Sequence, residues 1–264
     1  MLDPRQKYLQ IAFNRPLEEV KKMINLLPVS ERIIIEVGYP LIKTYGMPAI
    51  REIKNWWEQR ILDFRAQAIL TSRLSLKDSL KKYLLEIEVK RKLKGKTTNT
   101  ESRTFDPYII ADLKCMDRAF TEVELAASAG AKCATCLGLA PLETIDAFIK
   151  RCEEIRIDSM LDMMNIEYPF EVLTKLKNPP KIVMLHRGVD EREENKEKEI
   201  PYHEIERIKS VYDDVLIAVA GGETINEVMK GAFNDADILV VWRLFNENPE
   251  KITQLADEFL KEIK

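Results

Sequence analysis

The stretch Tyr108-Ile-Ile-Ala-Asp-Leu-Lys-Cys-Met-Asp117 begins as an apolar run and ends with an acid, a lysine and a second acid. A continuous run of β-branched and other apolar residues is typical of a parallel strand that is covered on both faces. Charged groups at the end of such a strand are costly to bury unless they are paired or bind a ligand. The stretch therefore predicts a buried strand that carries polar chemistry at its carboxyl end.

The same pattern recurs along the chain, with helical periodicity between the apolar runs. The runs are 8–13, 32–37, 108–113, 132–137, 158–163, 181–186, 215–220 and 237–241. The helical candidates are 16–27, 47–55, 118–129, 141–155, 168–176, 201–211, 223–232 and 248–263. Eight strands, each followed by a helix, predict an α/β fold of the (β/α)8 TIM barrel type. An open doubly wound sheet is the alternative, because periodicity alone does not establish closure.

A chain of 264 residues suits a single barrel domain, 1–264. Residues from about 56 to 105, between the second helix and the third strand, interrupt the alternation of strands and helices. We interpret them as a helical insertion that ends in a basic loop at 90–96, serving as decoration or an oligomer contact. A substrate lid or a contact with an anionic partner is the alternative. The charged stretch 190–199 is expected to be a solvated loop, or else a mobile lid.

Composition restricts the function classes. The chain has 41 Lys and Arg against 44 Asp and Glu, which disfavours a dedicated duplex-DNA binder. No apolar stretch is long enough to span a membrane, and the N-terminus does not resemble a signal peptide, so a cytoplasmic protein is expected. Cys133 and Cys136 have CxxC spacing, but they would point to opposite faces of a strand and are expected to be core cysteines.

In a barrel, the active site lies at the carboxyl ends of the strands. The residues predicted at these ends are Asn14, Glu36, Asp112, Lys114, Asp117, Asp162, His186, Gly221, Gly222 and Arg243. A lysine flanked by two carboxylates stays protonated and could stabilise an enolate or shuttle a proton. The alternative is a purely structural salt-bridge cluster. The glycine pair precedes a predicted helix, where backbone N–H groups could bind an anion or simply form a turn.

Several motifs resemble the orotidine 5′-monophosphate decarboxylase superfamily. The pattern Asp112-x-Lys114-x-x-Asp117 on the third strand carries the resemblance to the superfamily. The 3-hexulose-6-phosphate synthase branch is matched by residues 9–12, 36–43, 161–165, 186–190 and 219–222. Val189 occupies a position where the related keto-gulonate phosphate decarboxylases have arginine, so the aldolase branch is favoured.

The resemblance implies a Mg²⁺-dependent lyase that joins formaldehyde to ribulose 5-phosphate, or releases it from hexulose 6-phosphate, through an enediolate. It also implies a homodimer with active sites at the interface, to which the second aspartate of the motif commonly contributes. The implied roles are metal binding by Glu36 and Asp112, catalysis by Lys114, Asp117 and His186, substrate binding by Asn14, Asp162 and Asp190, and phosphate binding by Gly221, Gly222 and Arg243.

Three features depart from the family pattern. Asn14 stands where the family has aspartate, Trp242 stands where it has glycine, and the insertion is not typical. They leave open a divergent superfamily lyase or decarboxylase that acts on a different phosphorylated or ring substrate. A non-catalytic barrel is a further alternative, although five ionisable groups at one mouth argue against it.

Overall fold

Eight parallel strands close into one barrel in the computed structural model of the chain, which describes residues 1–73, 87–88, 105–222 and 224–263. The strands are β1 Tyr8–Phe13, β2 Ile33–Val37, β3 Ile109–Cys115, β4 Cys133–Leu137, β5 Asp158–Asp162, β6 Ile182–His186, β7 Leu216–Ala220 and β8 Ile238–Val241. Each strand pairs with the next, and β8 pairs with β1. The predicted TIM barrel is confirmed, and the open-sheet alternative is wrong.

Helices cover the outside of the barrel. They are α1 Leu17–Leu26, α2 Tyr39–Tyr45, α3 Pro48–Arg73, α4 Ala119–Ser128, α5 Leu142–Glu154, α6 Pro169–Leu173, α7 Val189–Glu194, α8 His203–Lys209, α9 Ile225–Phe233, α10 Arg243–Glu247 and α11 Ile252–Glu262. The sequence analysis missed α2, because this short helix buries only Leu41 and so has no apolar periodicity.

The helix α3 extends well past the predicted end at residue 55. Trp57 and Ile61 are buried, so the beginning of the predicted insertion belongs to the outer layer of the barrel. Burying a large apolar side chain contributes about 1.5–3 kcal/mol, which favours continuation of the helix. The basic stretch at 90–96 lies outside the described residues.

The charged stretch 190–199 does not form the expected loop throughout, because its first half belongs to α7. The backbone N–H of Gly188 donates to the Glu191 side chain at 3.3 Å and closes the first turn. Arg192 is buried on the inner side of this helix. Local capping and one buried side chain therefore outweigh the repulsion between the acidic residues.

Two apolar layers alternate along every strand. One lies inside the barrel, and the other lies between the strands and the helices. Cys133 belongs to the inner layer and Cys136 to the outer layer, as predicted for residues three apart on a strand. All four cysteines are buried and unbridged. Within the described ranges, no helix is long and apolar enough to cross a membrane.

Candidate active site

Polar side chains replace the apolar inner layer at the carboxyl half of the barrel. Because alternate residues of a strand face inward, the carboxyl ends of the strands direct these groups toward one mouth. The polar residues that form hydrogen bonds and ion pairs there are Gln10, Glu36, Asp112, Lys114, Thr135, Asp162 and His186. Five predicted site residues are brought together here: Glu36, Asp112, Lys114, Asp162 and His186.

An irregularity in β3 positions the lysine. The pairing register with β4 shifts between Ala111 and Cys115, and Lys114 adopts a left-handed backbone with φ 49°. Its N–H donates to Thr135 Oγ1 at 3.1 Å, and the Thr135 hydroxyl donates to Asp112 Oδ1 at 2.8 Å. A left-handed non-glycine residue is strained, and such strain concentrates at functional sites. The bulge turns the lysine side chain toward the carboxylates.

Two carboxylates hold the lysine ammonium group. Lys114 Nζ lies 2.6 Å from Asp162 Oδ2 and 3.3 Å from Asp112 Oδ1. Burial lowers the pKa of Lys114, but the two carboxylates outweigh burial and raise it above its ordinary value. The lysine is therefore held as a cation at the mouth by two carboxylates.

Asp162 also bonds the histidine on the next strand. His186 Nδ1 lies 3.0 Å from both carboxylate oxygens of Asp162. Burial would raise the pKa of Asp162, yet the charges of His186 and Lys114 lower it to about 2. Burial would likewise lower the pKa of His186, and the Asp162 carboxylate raises it. Asp162, which was predicted only to bind substrate, therefore orients both Lys114 and His186.

A buried carboxylate on β2 faces this cluster. Glu36 accepts a 2.5 Å hydrogen bond from Gln10 Nε2, and both side chains are buried. Burial and the neighbouring Asp112 carboxylate raise the pKa of Glu36 to about 7. The sequence analysis missed Gln10, although it occupies an inward-facing position in an otherwise apolar strand.

The two predicted metal ligands therefore form a carboxylate pair on neighbouring strands, with Tyr39 N–H donating to Asp112 Oδ2 at 3.4 Å. Across the described ranges, no cluster of three or more His, Cys, Asp or Glu side chains could hold a metal ion. The pair suits Mg²⁺, which commonly takes one or two carboxylates and completes its shell with water and substrate. The raised pKa of Glu36 is consistent with this fit, because a bound cation would offset two buried negative charges.

The predicted phosphate residues lie after β7 and β8. Gly221 has φ 113°, and a Cβ there would lie 2.6 Å from the carbonyl oxygen of Arg187, so the turn requires glycine. Gly222 follows, and the Thr224 side chain caps α9. Arg243 forms an ion pair with Glu193 of α7 at 2.9 Å. The predicted phosphate arginine is thus paired with an acidic residue of α7.

Two of the three departures from the family pattern, Asn14 and Trp242, contact each other. In the amide orientation that satisfies both groups, the Asn14 oxygen accepts from Trp242 Nε1 at 2.7 Å and the Asn14 nitrogen donates to Phe13 O at 3.2 Å. A Cβ at position 38 would lie 1.8 Å from a terminal amide atom of Asn14, so Gly38 makes room for this side chain. Sequence reasoning identified both departures but not their contact.

Two predicted residues stand apart from the cluster. Asp117 is exposed between β3 and α4, and Asp190 is exposed in the first turn of α7. The acidic partners that Lys114 has in the structure are Asp112 and Asp162, rather than the predicted Asp117. The roles assigned to Asp117 and Asp190 stay predictions.

A closed (β/α)8 barrel with a lysine, a histidine and three carboxylates at its carboxyl mouth defines the class of the molecule as a barrel enzyme. A family model described as Orotidine 5′-phosphate decarboxylase / HUMPS family matches residues 93–253. The chain belongs to this family.

Two relatives with similar sequences share one name, the bifunctional enzyme Fae/Hps. The chain is 32% identical over 259 residues to the bifunctional enzyme Fae/Hps of Methanothrix thermoacetophila, covering 97% of this chain and 53% of that protein. The Methanosarcina barkeri enzyme of the same name is 30% identical over 257 residues, covering 97% and 52%. The chain thus spans about half the length of these relatives.

Solved structures share the fold. A 3-hexulose-6-phosphate synthase superposes with a TM-score of 0.68 at 21% identity, covering 97% of this chain and 100% of that one. The 3-hexulose-6-phosphate synthase from Salmonella typhimurium has a TM-score of 0.66 at 22% identity, covering 95% and 99%. At this identity, the likeness establishes the barrel architecture.

Proposed function

We propose that the chain is a Mg²⁺-dependent aldolase of the 3-hexulose-6-phosphate synthase type. The reaction would join formaldehyde and ribulose 5-phosphate to give hexulose 6-phosphate, and it would run in reverse. The observation that carries the proposal is the placement of Asp162 between Lys114 and His186, opposite the Glu36 and Asp112 carboxylates. The names of the relatives support the same reaction.

Glu36 and Asp112 would hold the metal ion. Bound Mg²⁺ would polarise the ketose carbonyl and stabilise negative charge on its oxygens. The Gln10 hydrogen bond orients the Glu36 carboxylate toward this function, as outer hydrogen bonds do for metal ligands.

The remaining steps use the side chains of the barrel. Loss of a proton from C1 of ribulose 5-phosphate moves the C–H electron pair into an enediolate. The Lys114 ammonium group stabilises the developing negative charge. His186 Nδ1 bonds Asp162, which leaves Nε2 on the other side of the ring to exchange the proton. C1 then bonds to the formaldehyde carbon while the C=O π electron pair moves onto the formaldehyde oxygen, which takes up the proton that His186 Nε2 accepted from C1.

The phosphate group would bind between the turn at Gly221 and Gly222 and the Arg243 guanidinium group. A glycine-bearing turn before a helix exposes backbone N–H groups that favour an anion. Arg243 already binds a carboxylate, that of Glu193, and a phosphate would replace this partner. Asn14 and Asp190 are assigned to the sugar hydroxyl groups by the family resemblance.

A homodimer is part of the proposal. The exposed position of Asp117 at the rim would let it reach the site of a partner subunit. Mixing an Asp117→Asn variant with a Lys114→Ala variant tests this arrangement. If Asp117 acts across the interface, half of the dimers regain one of two sites, and about a quarter of the activity returns. No recovery on subunit exchange would refute a contribution in trans.

The aldolase assay measures formaldehyde release from hexulose 6-phosphate, first with Mg²⁺ and then with EDTA. Asp112→Asn is the test variant. Asp158→Asn is the matched control, because Asp158 is a buried carboxylate that bonds Tyr108 away from the cluster. Turnover that requires both metal and Asp112 supports the proposal. No turnover in folded protein that binds Mg²⁺ would refute it and favour another phosphorylated substrate.

A further inference from the structure

Trp242 and Asn14 continue the inward-facing rows of two neighbouring strands. Val240 of β8 and Ala12 of β1 belong to the inner layer of the barrel, and alternation places residues 242 and 14 in the next layer toward the mouth. The indole of Trp242 packs against this inner layer. The aromatic ring therefore lies at the mouth of the barrel, on the side formed by β8 and β1.

This indole is held at both its side chain and its backbone. Its Nε1 donates to Asn14 at 2.7 Å. Nδ2 of the buried Asn246 donates to Trp242 O at 2.7 Å and to Ala12 O at 3.2 Å, which ties the backbone after β8 to β1. The bonds to Asn14 and to Ala12 cross the β8–β1 seam, so the indole and the backbone that follows it are both anchored to the end of β1.

The ring also adjoins the proposed phosphate arginine. The Arg243 guanidinium carbon lies 5.7 Å from the centre of the Trp242 ring. The acid–base and metal-binding groups come from β2, β3, β5 and β6. The indole would therefore line one side of the space occupied by a substrate whose phosphate binds at Arg243.

We propose that Trp242, oriented by Asn14, is a specificity-determining residue for this site. It admits a pentose phosphate and excludes a phosphate ester in which the pentose carries a further ring, such as a nucleoside monophosphate. The physical reason is steric, because a fixed indole occupies the space beside the phosphate that a base would need. This inference deepens the proposed function, on which its sugar-phosphate substrate rests.

Two ligands that share a phosphate and a pentose test the inference: ribose 5-phosphate and uridine 5′-monophosphate. Calorimetry would measure both dissociation constants in the unaltered chain, Trp242→Ala and Trp242→Phe. We expect the unaltered chain to bind ribose 5-phosphate at least about tenfold more tightly than the nucleotide. Trp242→Ala should tighten nucleotide binding by about tenfold or more, with little change for ribose 5-phosphate.

The phenylalanine variant keeps a ring but loses the hydrogen bond to Asn14, so it should shift nucleotide affinity less than alanine does. If Trp242→Ala does not fold, Trp242→Leu takes its place. Equal binding of both ligands by the unaltered chain, or unchanged nucleotide affinity after truncation of the indole, would overturn the inference.

The aldolase assay separates this inference from the proposed function. If the chain discriminates between ribose 5-phosphate and the nucleotide but releases no formaldehyde, the aldolase proposal is refuted and the specificity role of Trp242 is supported. If the unaltered chain releases formaldehyde but nucleotide binding is unchanged in Trp242→Ala, only the specificity role of Trp242 is refuted. Asn14→Ala adds a further check through the nucleotide alone, because loss of the anchor should tighten nucleotide binding although the indole remains, whereas loss of a sugar contact would weaken it.

Discussion

Asp162 Oδ2 lies 2.6 Å from Lys114 Nζ, and the same carboxylate bonds His186 Nδ1 at 3.0 Å. The Asp162 side chain is fully buried, so its charge is compensated by these two neighbours rather than by water. One carboxylate thereby keeps a lysine protonated and orients a histidine. This relationship makes Asp162 the residue on which the arrangement of the site depends.

Replacing Asp162 with asparagine should impair catalysis more than substrate binding. The variant keeps the size of the side chain but removes the charge that pairs Lys114 and His186. We expect kcat to fall by about a hundredfold or more, with a smaller change in KM. Stability should fall by about 3 kcal/mol, because two buried groups lose their partner. Steady-state kinetics and urea unfolding measure the two effects, and a kcat within threefold of the unaltered enzyme would refute the role.

The titration of His186 should depend on Asp162. The Asp162 charge overcomes burial and raises the His186 pKa above 6.5, so the protonated form stabilises the fold. This contribution is complete below the unfolded-state pKa and is lost as the pH rises through the folded-state pKa. In Asp162→Asn, burial and Lys114 should lower the pKa below 6.5.

Nuclear magnetic resonance can follow both imidazole rings, since the chain has 2 histidines. His203 is largely exposed and serves as an internal reference. A His186→Gln variant assigns the signals. A His186 pKa that does not fall in Asp162→Asn would contradict the proposed pairing.

Neutralising Glu193 should strengthen phosphate binding. Its carboxylate pairs with Arg243 at 2.9 Å and would compete with a phosphate for the guanidinium group. A pair with one exposed partner is worth about 0.2–1 kcal/mol, so Glu193→Gln should tighten phosphate binding by up to about fivefold. Glu194→Gln, on the same helix and also exposed, is the matched control. Calorimetry with inorganic phosphate measures the dissociation constants. Equal values for Glu193→Gln and Glu194→Gln would show that Glu193 does not compete with phosphate for Arg243.

Removing the Gln10 amide should weaken metal binding. Gln10 donates to Glu36, so Gln10→Leu leaves a proposed metal ligand without its orienting partner while keeping a similar volume. Loss of such a partner typically lowers metal affinity by about 10- to 100-fold. Titration calorimetry with Mg²⁺ checks this, and an unchanged dissociation constant would refute a role for Gln10 in metal binding.

Substitution at Gly221 should destabilise the fold more than substitution at another left-handed glycine. Gly221→Ala combines an unfavourable φ of 113° with a Cβ 2.6 Å from the Arg187 carbonyl oxygen. Gly46→Ala has a φ of 66° but its nearest contact is at 3.6 Å, so it isolates the conformational cost. We expect about 1 kcal/mol for Gly46→Ala and about 3 kcal/mol for Gly221→Ala. Equal losses in urea unfolding would mean that the close contact is absent.

The barrel and the chemical character of its mouth were predictable from the sequence. Apolar runs at regular intervals indicate buried parallel strands, and Glu36, Asp112, Lys114 and His186 stand at or near the carboxyl ends of three of them, β2, β3 and β6. These are local properties, since strand alternation and helix periodicity are set by neighbouring residues. Helix α7 escaped prediction because its stability depends on the capping contact with Glu191 and on burial of Arg192.

The partner of each site residue was decided only by the tertiary structure. The sequence predicted Asp112 and Asp117 as the carboxylates beside Lys114; Asp112 does contact the lysine, but closure of the barrel brings Asp162 of β5 there in place of Asp117. Closure also joins Asn14 to Trp242, the ends of the first and last strands. Such contacts depend on strand register and on the packing of residues far apart in the chain. A local pattern determines which residues face the mouth, whereas only the closed barrel determines which of them touch.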